Sequence, residues 1–458
     1  MAQNLFEAYK GRIAVAEKMY AKAHNGDKLN ESKKLVLAKC LKNVNGFLNE
    51  AMEQSVATQR SDLGLFKKFA MNLTTVALPN LISHDLVIVQ PLSSMSGYIN
   101  YIQYVAGNTK GQTTAGDVFN DPFRLGNVDV NFTGSHVVET VPEGGTITLA
   151  WTPIVKGAFG EKTVDQFGNL TVADPKDYKV IHADGSVTYG TLSEGATSIT
   201  GLTAGDKVAY VYNNVVVPQA NIPMLKAQMK ALPLIAKARR IAIYYSQIAA
   251  FQAKQDYGFD LAEQLAEKAV GQLSYEIDTE VVTLLDTTAG AANTELSWNR
   301  EVPYGVSKAE HYEAFTEIVA IGRQLIYDRT KRFAPNYMII ASNILPVLGF
   351  AKGWKAAPTG NINGPYFAGT LDGLKVFVSP TMKAGRFVIG VNGDDMMSSV
   401  AVYAPYMPIV PTQLLQYADG GTSQGWSTMY ALEVLNRDLI VAGEVTKTDY
   451  VVKTATAN

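Results

Sequence analysis

The chain has 458 residues, of which 47% are hydrophobic and 18% are charged. At roughly 150 residues per domain, this length predicts two or three domains that can bury stable cores without disulfides or metals. Forty basic against 42 acidic residues leave a net charge of −2, which argues against a protein whose overall field recruits nucleic acid or an anionic membrane. The single cysteine, Cys40, excludes a disulfide scaffold and a thiolate zinc cluster.

Residues 1–70 have the pattern of amphipathic helices. Apolar Leu35, Leu41, Val44 and Leu48 recur at helical spacing, and polar residues occupy the other face. Cys40 lies on the same partly apolar surface and is predicted to be a buried thiol. Two interpretations stay open for this N-terminal helical arm. A pair of helices packed on the body of the protein is favoured, and a detachable arm that lies on a neighbouring molecule is the alternative.

The chain then changes from helical to extended patterns. Residues 86–89 form a fully apolar run, which predicts a strand buried on both faces. Residues 98–123 are rich in tyrosine, glycine, threonine and asparagine, which is typical of a long loop or hairpin with little apolar surface to bury. Because an isolated hairpin is marginally stable in water, we expect this segment to need support from outside itself.

Residues 138–213 have the pattern of a separate all-β domain. Short β-prone runs recur along them, and Asp184-Gly185 between two of these runs predicts a tight hairpin. The strand spacing suits a small sandwich. Because strand-like chain flanks the domain on both sides, it is predicted to be an insertion rather than a terminal domain.

Residues 234–308 combine a basic strand with a long helix. Lys237, Arg239 and Arg240 cluster on the strand, and in a neutral chain such charges favour ion pairs to an adjacent subunit or domain over nucleic-acid binding. An uninterrupted apolar stripe predicts a helix over residues 260–286, about 40 Å long. So long a rod suggests the backbone element of an extended subunit, and a core helix of a large domain is the alternative.

The last third of the chain alternates helical and extended patterns. Over residues 309–445 this alternation predicts a mixed α/β layer, and the chain as a whole is predicted to be of the α+β class. Residues 446–458 are predicted to form a C-terminal tail.

The chain carries no recognisable catalytic, cofactor-binding or metal-binding motif. Its five histidines have no ligand spacing, residues 107–111 lack the ending of a phosphate-binding loop, and no nucleophile elbow is present. The sequence therefore predicts a protein that is not an enzyme and that holds no metal or cofactor. A secreted surface-binding protein that uses the β domain is a further class, but residues 1–20 carry no export signal.

Three segments, in order along the chain, resemble one protein family. The first two are residues 77–97 (ALPNLISHDLVIVQPLSSMSG) and residues 236–265 (AKARRIAIYYSQIAAFQAKQDYGFDLAEQL). The third is a series of short motifs at residues 367–373 (FAGTLDG), 387–390 (FVIG) and 402–406 (VYAPY). The family is that of the major capsid proteins of T-even-type contractile-tailed phages, which have the Hong Kong 97-type fold.

The chain departs from the family pattern at two of these segments. Leu92 stands where the family has methionine, and residues 93–95 lengthen the turn that follows. Residues 247–252 are less acidic than their counterparts, so the ion pairs of the family are not transferred to this chain.

The resemblance implies a Hong Kong 97-type subunit with the following parts: an N-terminal arm at residues 1–70, the start of the core at 71–97, an extended E-loop at 98–137 and 214–233, a β insertion domain at 138–213, a peripheral domain with the spine helix at 234–308, and an axial domain with the return strands of the core at 309–445. It also implies that residues of the E-loop and the basic strand contact neighbouring subunits. These residues are Tyr98, Tyr101, Tyr104, Phe119, Phe123, Lys237, Arg239 and Arg240.

The function that the resemblance implies is structural. Copies of the chain would assemble in the host cytoplasm into hexamers, and the resemblance does not decide whether they also form pentamers. These assemblies would form the icosahedral head of a virion around double-stranded DNA. The DNA would be enclosed without sequence-specific contacts, and no membrane would be bound. Vertex, portal, scaffold and decoration proteins are further partners that the family allows. An encapsulin-like bacterial compartment shell, which shares the fold, is the alternative.

The family often loses its N-terminal segment to a protease that cuts after a triplet of leucine or isoleucine, any residue, and glutamate. Leu48-Asn49-Glu50 fits this pattern, as does Leu5-Phe6-Glu7. Glu50 is therefore a candidate processing site, although an uncleaved arm is the favoured interpretation because such short matches arise by chance.

Overall fold

A computed structural model describes residues 2–23, 28–54, 81–120, 131–164, 170–213, 215, 222–256, 258, 261–357, 364–393, 396–412 and 415–447. The fold is a mixture of helices and sheets, and the chain divides into two compact units. The first unit comprises residues 1–99 and 232–458, and the second comprises residues 100–231. No helix in the described ranges is long and apolar enough to cross a bilayer.

The helices within the described ranges lie mostly in the N-terminal segment and in the second half of the chain. They are α1 (Ala2–Ala23), α2 (Glu31–Gln54), α3 (Ser83–Leu86), α4 (Gln247–Asp256), α5 (Leu261–Ala289), α6 (Lys308–Glu313), α7 (Phe315–Thr330) and α8 (Leu345–Leu348). Short 3-10 turns occur at Thr294–Leu296, Ser342–Ile344, Met396–Ser398 and Arg437–Leu439.

The strands within the described ranges begin after α3. Those before α4 are β1 (Ile88–Val89), β2 (Ser96–Ala106), β3 (Val118–Asn120), β4 (His136–Thr140), β5 (Ile147–Thr148), β6 (Phe159–Val164), β7 (Leu170–Lys176), β8 (Tyr178–Ile181), β9 (Val187–Gly190), β10 (Ser198–Ile199), β11 (Lys207–Val211), β12 (Leu225–Ile235) and β13 (Lys237–Ser246). Those after α5 are β14 (Ser297–Asn299), β15 (Tyr337–Ala341), β16 (Trp354–Ala356), β17 (Tyr366–Leu371), β18 (Leu374–Ser379), β19 (Arg386–Gly390), β20 (Ala401–Pro411), β21 (Leu415–Gln416), β22 (Gly421–Val434) and β23 (Ile440–Thr446).

A seven-stranded mixed sheet forms the centre of the first unit, in the order β14-β23-β19-β15-β18-β17-β16. All five residues of β15 are buried, as expected from its continuous apolar sequence. Helix α7 packs on this sheet through Phe315, Val319 and Ile326, which belong to the same apolar core as β15, β18 and β19. The mixed α/β layer predicted for the last third is therefore confirmed.

A second sheet of the first unit has the order β1-β20-β22-β13, with β21 paired to β22. The sequence predicted a strand over residues 86–89, and this prediction is wrong for its first half. Residues 83–86 form the short helix α3, and the strand that follows is two half-buried residues parallel to β20. The cause lies in α3, where Ser83 is bound to a side chain of α5 and the chain turns before it extends.

The helices α1 and α2 pack on the rest of the first unit. Their buried residues, including Ile13, Leu37 and Leu41, belong to the main apolar core, and Cys40 is fully buried as predicted. The amide of Asn43 donates hydrogen bonds of 2.9 Å to two carbonyl oxygens of the body, those of Leu92 and Tyr406. The described residues of α1 and α2 are therefore packed as a helical pair on the body of the protein.

The long helix α5 has 29 residues and is about 44 Å long at 1.5 Å per residue. It begins near the predicted residue 260 and extends three residues beyond the predicted end at 286. Its first half packs on the second sheet, where Leu273 contacts the core around Trp426. Its second half, through Ile277, Val281 and Leu285, joins the main core. One rod therefore connects both sheets of the first unit.

A buried carboxylate fastens α5 to α3. Oδ1 of Asp278 accepts hydrogen bonds from the backbone N–H of Ser83 at 3.1 Å and from its hydroxyl at 2.5 Å. Burial raises the pKa of Asp278 to about 6, although the bonds from Ser83 oppose this shift. The neighbouring His84 has its pKa lowered to about 3, first by burial and then by Lys33.

The second unit contains an all-β module that begins with β4 and ends with β11, and it has a core of its own. Its main sheet has the order β4-β11-β8-β9. The strands β5 and β10 form a separate two-stranded sheet, and β6 and β7 form another. Strands β8 and β9 pair antiparallel around Asp184-Gly185, so the predicted hairpin is confirmed. Val137, Val208 and Tyr210 are buried in the core.

We expect the Asp278→Asn substitution to change how stability depends on pH. Because the folded-state pKa of about 6 lies above the ordinary 3.8, folding takes up a proton, and the unfolding free energy of the parent protein falls as pH rises through about 4 to 6. Asparagine keeps the Oδ1 acceptor but does not titrate. The unfolding free energy of the variant relative to the parent should therefore rise by about 1–3 kcal/mol between pH 4 and pH 7.

Urea unfolding at a series of pH values measures this difference. Glu267→Gln, an exposed site on the same helix, is the matched control and should leave the pH profile unchanged. Parallel profiles for the parent and Asp278→Asn would contradict the prediction.

Candidate functional site

The polar side chains of the described residues do not assemble a metal site. No group of three or more histidine, cysteine, aspartate or glutamate side chains in those ranges is placed to hold an ion. The features that remain to be considered are surfaces. Two of them correspond to the predicted contact residues: an exposed β-ribbon and the basic strand β13.

The ribbon consists of β12, β2 and β3, paired in that order. All residues of β12 except Leu232 and Leu234 are exposed, and Met229 is 80% exposed. Strand β2 alternates, so that Tyr98 and Ile102 lie on its exposed face at 69% and 50% exposure. Large apolar side chains left in water along a ribbon are typical of a surface that another chain covers.

The aromatic residues predicted for the ribbon do not share one environment. Tyr98 and Tyr104 are exposed, whereas Tyr101 is half-buried, because alternate residues of β2 face opposite sides. Phe119 is half-buried, and its ring meets the ring of Phe132 in the same chain edge to face at 5.0 Å. The predicted contact residues therefore divide into two groups. Tyr98 and Tyr104 are exposed, whereas Tyr101 and Phe119 are half-buried within their own chain.

Phe123 lies outside the described residues. Glu50 lies in α2 (Glu31–Gln54), and Leu48 of the same triplet is buried in the main core. The candidate processing site is therefore part of a continuous helix.

The basic strand is connected to the long helix through Arg239. Its guanidinium binds within its own chain, to Glu276 at 3.0 Å and to Glu280 at 2.6 Å, both on α5. Its Nε also donates to the hydroxyl of Tyr430 on β22 at 2.6 Å. A contact of Arg239 with a neighbouring subunit stays a prediction, and within the chain its guanidinium ties β13 to α5.

Tyr430 completes this network. Its hydroxyl accepts from Arg239 and donates to the carboxylate of Glu280. Burial, and then the bond to Glu280, raise the pKa of Tyr430, so the hydroxyl keeps the proton that it donates. Lys237 and Arg240, the other two predicted basic residues, are exposed and stay available for contacts outside the subunit.

The sequence did not single out the apolar residues of β12 or the role of Lys110. Leu225 and Met229 could have been found from the strict alternation of apolar and polar residues over 225–231 (LKAQMKA), which predicts a strand with one apolar face. Lys110 is 2% exposed and sits at the tip of the ribbon. No sequence pattern reveals it, because lysine is almost always a surface residue.

The chain is similar to known phage proteins. A family model described as the major capsid protein Gp23 matches residues 64–457. The major capsid protein of Enterobacteria phage T6 is 23% identical, with 80% of this chain and 77% of the relative covered. That of Vibrio phage KVP40 is also 23% identical, with 80% and 75% covered. A chain in the solved structure of Microbacterium phage Oxtober96 aligns with a TM-score of 0.38 and 10% identity, over 80% of this chain and 90% of that chain.

We expect Arg239→Met to destabilise the subunit, because Glu276 and Glu280 would lose the cation they share. The side chain is 33% exposed, so solvent screening limits the loss to about 1–2 kcal/mol. Arg240→Met, at the exposed neighbouring position, is the matched control and should stay within about 0.5 kcal/mol of the parent. Urea unfolding of the two variants decides the matter, and equal losses would contradict the assignment of Arg239.

Proposed function

Since the chain belongs to the major capsid protein Gp23 family, whose model covers residues 64–457, we propose that its copies associate into the hexamers of an icosahedral phage head that encloses double-stranded DNA. The protein is the major capsid protein of that head and a component of the virion. Its role is structural, as it is for the capsid proteins that it resembles.

The subunit is of the Hong Kong 97 type in this proposal. The long helix α5 is the spine of a peripheral domain, and its contacts with two sheets support that assignment. The seven-stranded sheet supplies the axial domain, and the ribbon is the E-loop. The β module is an insertion domain, which its separate apolar core supports.

The observation that carries the proposal is the exposure of β12 and of one face of β2. Most side chains of β12 lie in water, and burial of their apolar area would stabilise by about 25 cal/mol per Å². A neighbouring copy of the chain is the occupant that assembly supplies, because each copy offers the same ribbon and needs the same cover. The ribbon thus lies across the next subunit of the hexamer, with Tyr98, Tyr104 and Met229 at the contact.

Other partners follow from the same assembly. Closing a shell of hexamers requires pentamers or a separate vertex protein, and portal, scaffold and decoration proteins belong to the same proposal. The net charge of −2 supports enclosure of DNA without a sequence-specific binding surface. The family match favours the phage head over an encapsulin-like compartment shell.

The peptide bond after Glu50 stays intact in this proposal. A protease binds its substrate in an extended form, whereas Glu50 lies within α2 and Leu48 is buried at 1% exposure. Cleavage there would require the second half of α2 to unwind and Leu48 to leave the core.

We expect carboxylates on the ribbon to abolish assembly without unfolding the subunit. Ile102→Asp combined with Met229→Asp places charges at side chains that are 50% and 80% exposed, so the free subunit tolerates them. At a subunit interface the same charges would have to lose their water, which is costly. Negative-stain microscopy should show no shells, and thermal unfolding should match that of the parent.

The conservative pair Ile102→Val and Met229→Leu is the control for the carboxylate variant and should assemble normally. Normal shells from the aspartate variant would refute the ribbon as an inter-subunit contact.

We expect peptides that span residues 48–51 to be recovered uncut from mature particles. Mass spectrometry of subunits digested after denaturation provides the measurement, and prohead-stage particles provide the reference abundance. Loss of the spanning peptides on maturation, together with a new terminus at Ala51, would show that Glu50 is processed.

A further inference from the structure

The tip of the ribbon comprises residues 107–116, between β2 and β3. Lys110 lies buried within this tip. Its ammonium donates to the carbonyl oxygen of Phe132 at 2.8 Å, to that of Asn131 at 3.2 Å, and to that of Gly134. These carbonyls belong to the segment that leads into β4, the first strand of the β module. An ammonium group has three donors, so three carbonyls match its full capacity.

Two aromatic rings of the β module enclose the same ammonium. Its nitrogen lies 4.9 Å from the ring centroid of Tyr212 and 5.4 Å from that of Trp151. A cation over aromatic faces is attracted by their negative charge, and the attraction is larger where water is excluded. Tyr212 and Trp151 are 1% and 3% exposed, so the site is dry on this side.

A second bond joins the tip to the module independently of the charge. The indole N–H of Trp151 donates to the carbonyl oxygen of Thr109, the residue before Lys110, at 3.2 Å. The indole ring therefore contacts the ammonium through its face and the backbone of the tip through its edge.

The tip is folded on itself in a way that presents Lys110. The backbones of Lys110 and Thr113 exchange hydrogen bonds of 2.8 and 3.1 Å, which closes a tight turn. Gly111 within this turn has φ of +61°, a conformation that glycine adopts without steric cost. Gly107 donates to the carbonyl of Met224, just before β12, so both long strands of the ribbon are held at the same end.

We propose that Lys110 is a positioning residue that latches the tip of the ribbon to the β module, so that the module supports the ribbon from within the chain before a neighbour covers it. The inference rests on the proposed function of the ribbon as an inter-subunit contact. Its physical basis is that a buried ammonium is tolerated only while its donors are satisfied, so the carbonyls, the rings and the tip are ordered together.

Hydrogen exchange of the unassembled, full-length subunit tests the latch. Lys110→Met keeps the length of the side chain and removes the charge and its donors. Backbone exchange over residues 107–116 should accelerate by about tenfold or more, the factor that corresponds to the loss of one charge-assisted hydrogen bond. Strands β8 and β11 of the module should keep their protection.

Two further variants sharpen the test. Lys207→Met removes an exposed lysine of the same module and should change nothing. Trp151→Phe keeps an aromatic face for the ammonium but loses the donor to Thr109, so it should accelerate exchange at the tip by a smaller factor than Lys110→Met.

The latch is overturned if the tip keeps its protection in Lys110→Met. It is also overturned if β8 and β11 lose protection as much as the tip does, because Lys110 would then stabilise the core of the module rather than position the tip. The measurement is made before assembly, so its result does not depend on whether the aspartate variant of the ribbon forms shells. If the latch and the ribbon contact both hold, Lys110→Met subunits should also yield fewer shells than Lys207→Met subunits.

Discussion

The apolar side chains of a β-strand contribute to stability only when another surface covers them, and in this respect β12 differs from the central strands of the first unit. Strand β15 has every residue buried, and β20 is buried along nearly its whole length. Strand β12 has the same eleven-residue length as β20 and leaves almost all of its side chains in water. The backbone bonds of β12 to β2 satisfy the polar groups along one edge of β12, but its apolar side chains gain nothing until another surface meets them. In the proposed shell, a neighbouring copy of the chain supplies that surface.

The acidic residues of the long helix α5 connect it to the elements that surround it. Within about three turns, α5 carries four acidic residues that contact different elements of the first unit: Glu276, Asp278, Glu280 and Asp286. Arg239 of β13 forms ion pairs with Glu276 and Glu280. Ser83 of α3 donates a hydrogen bond to Asp278, and Arg386 of β19 forms an ion pair with Asp286. Apolar burial provides most of the stability of such a helix, but it is not directional. The polar ties fix its rotation and register against both sheets, since each bond forms in one alignment.

Local chemistry made much of the fold predictable from the sequence. The motif at residues 367–373 ends in Asp372-Gly373, which join β17 to β18 as a two-residue turn with φ of +45° and +84°. Such a turn requires positive φ at both residues, which is why Asp-Gly serves there. In the motif at residues 387–390, by contrast, Gly390 lies opposite Tyr337, and a Cβ at this position would collide with the tyrosine ring. The first glycine is explained by its own turn, whereas the second depends on a strand that is 53 residues away along the chain.

The features that the sequence did not predict depend on residues that are distant along the chain. The basic pattern around Arg239 was recognised, but its partners are 37 and 41 residues away, on α5. Lys110 is 22 residues from the carbonyl of Phe132 and 41 from Trp151, and its burial is contrary to the usual behaviour of lysine. Which side chains of the ribbon are exposed likewise follows from strand pairing, as the opposite faces of Tyr98 and Tyr101 demonstrate. Propensity and periodicity describe elements, whereas these contacts are made between elements.

An exposed apolar ribbon is also an aggregation hazard, and β12 carries features that restrict how it can be covered. It is an edge strand of its sheet, with Lys226, Lys230 and Pro233 exposed along it. Charged lysines and a proline that lacks an N–H both discourage a further strand from pairing at an edge. Pairing by strand addition is thus disfavoured, while the faces that carry Met229 and Ile102 stay available. The ribbon therefore selects contacts through side chains, whose shape a neighbouring copy can match, over backbone pairing, which any unfolded chain could satisfy.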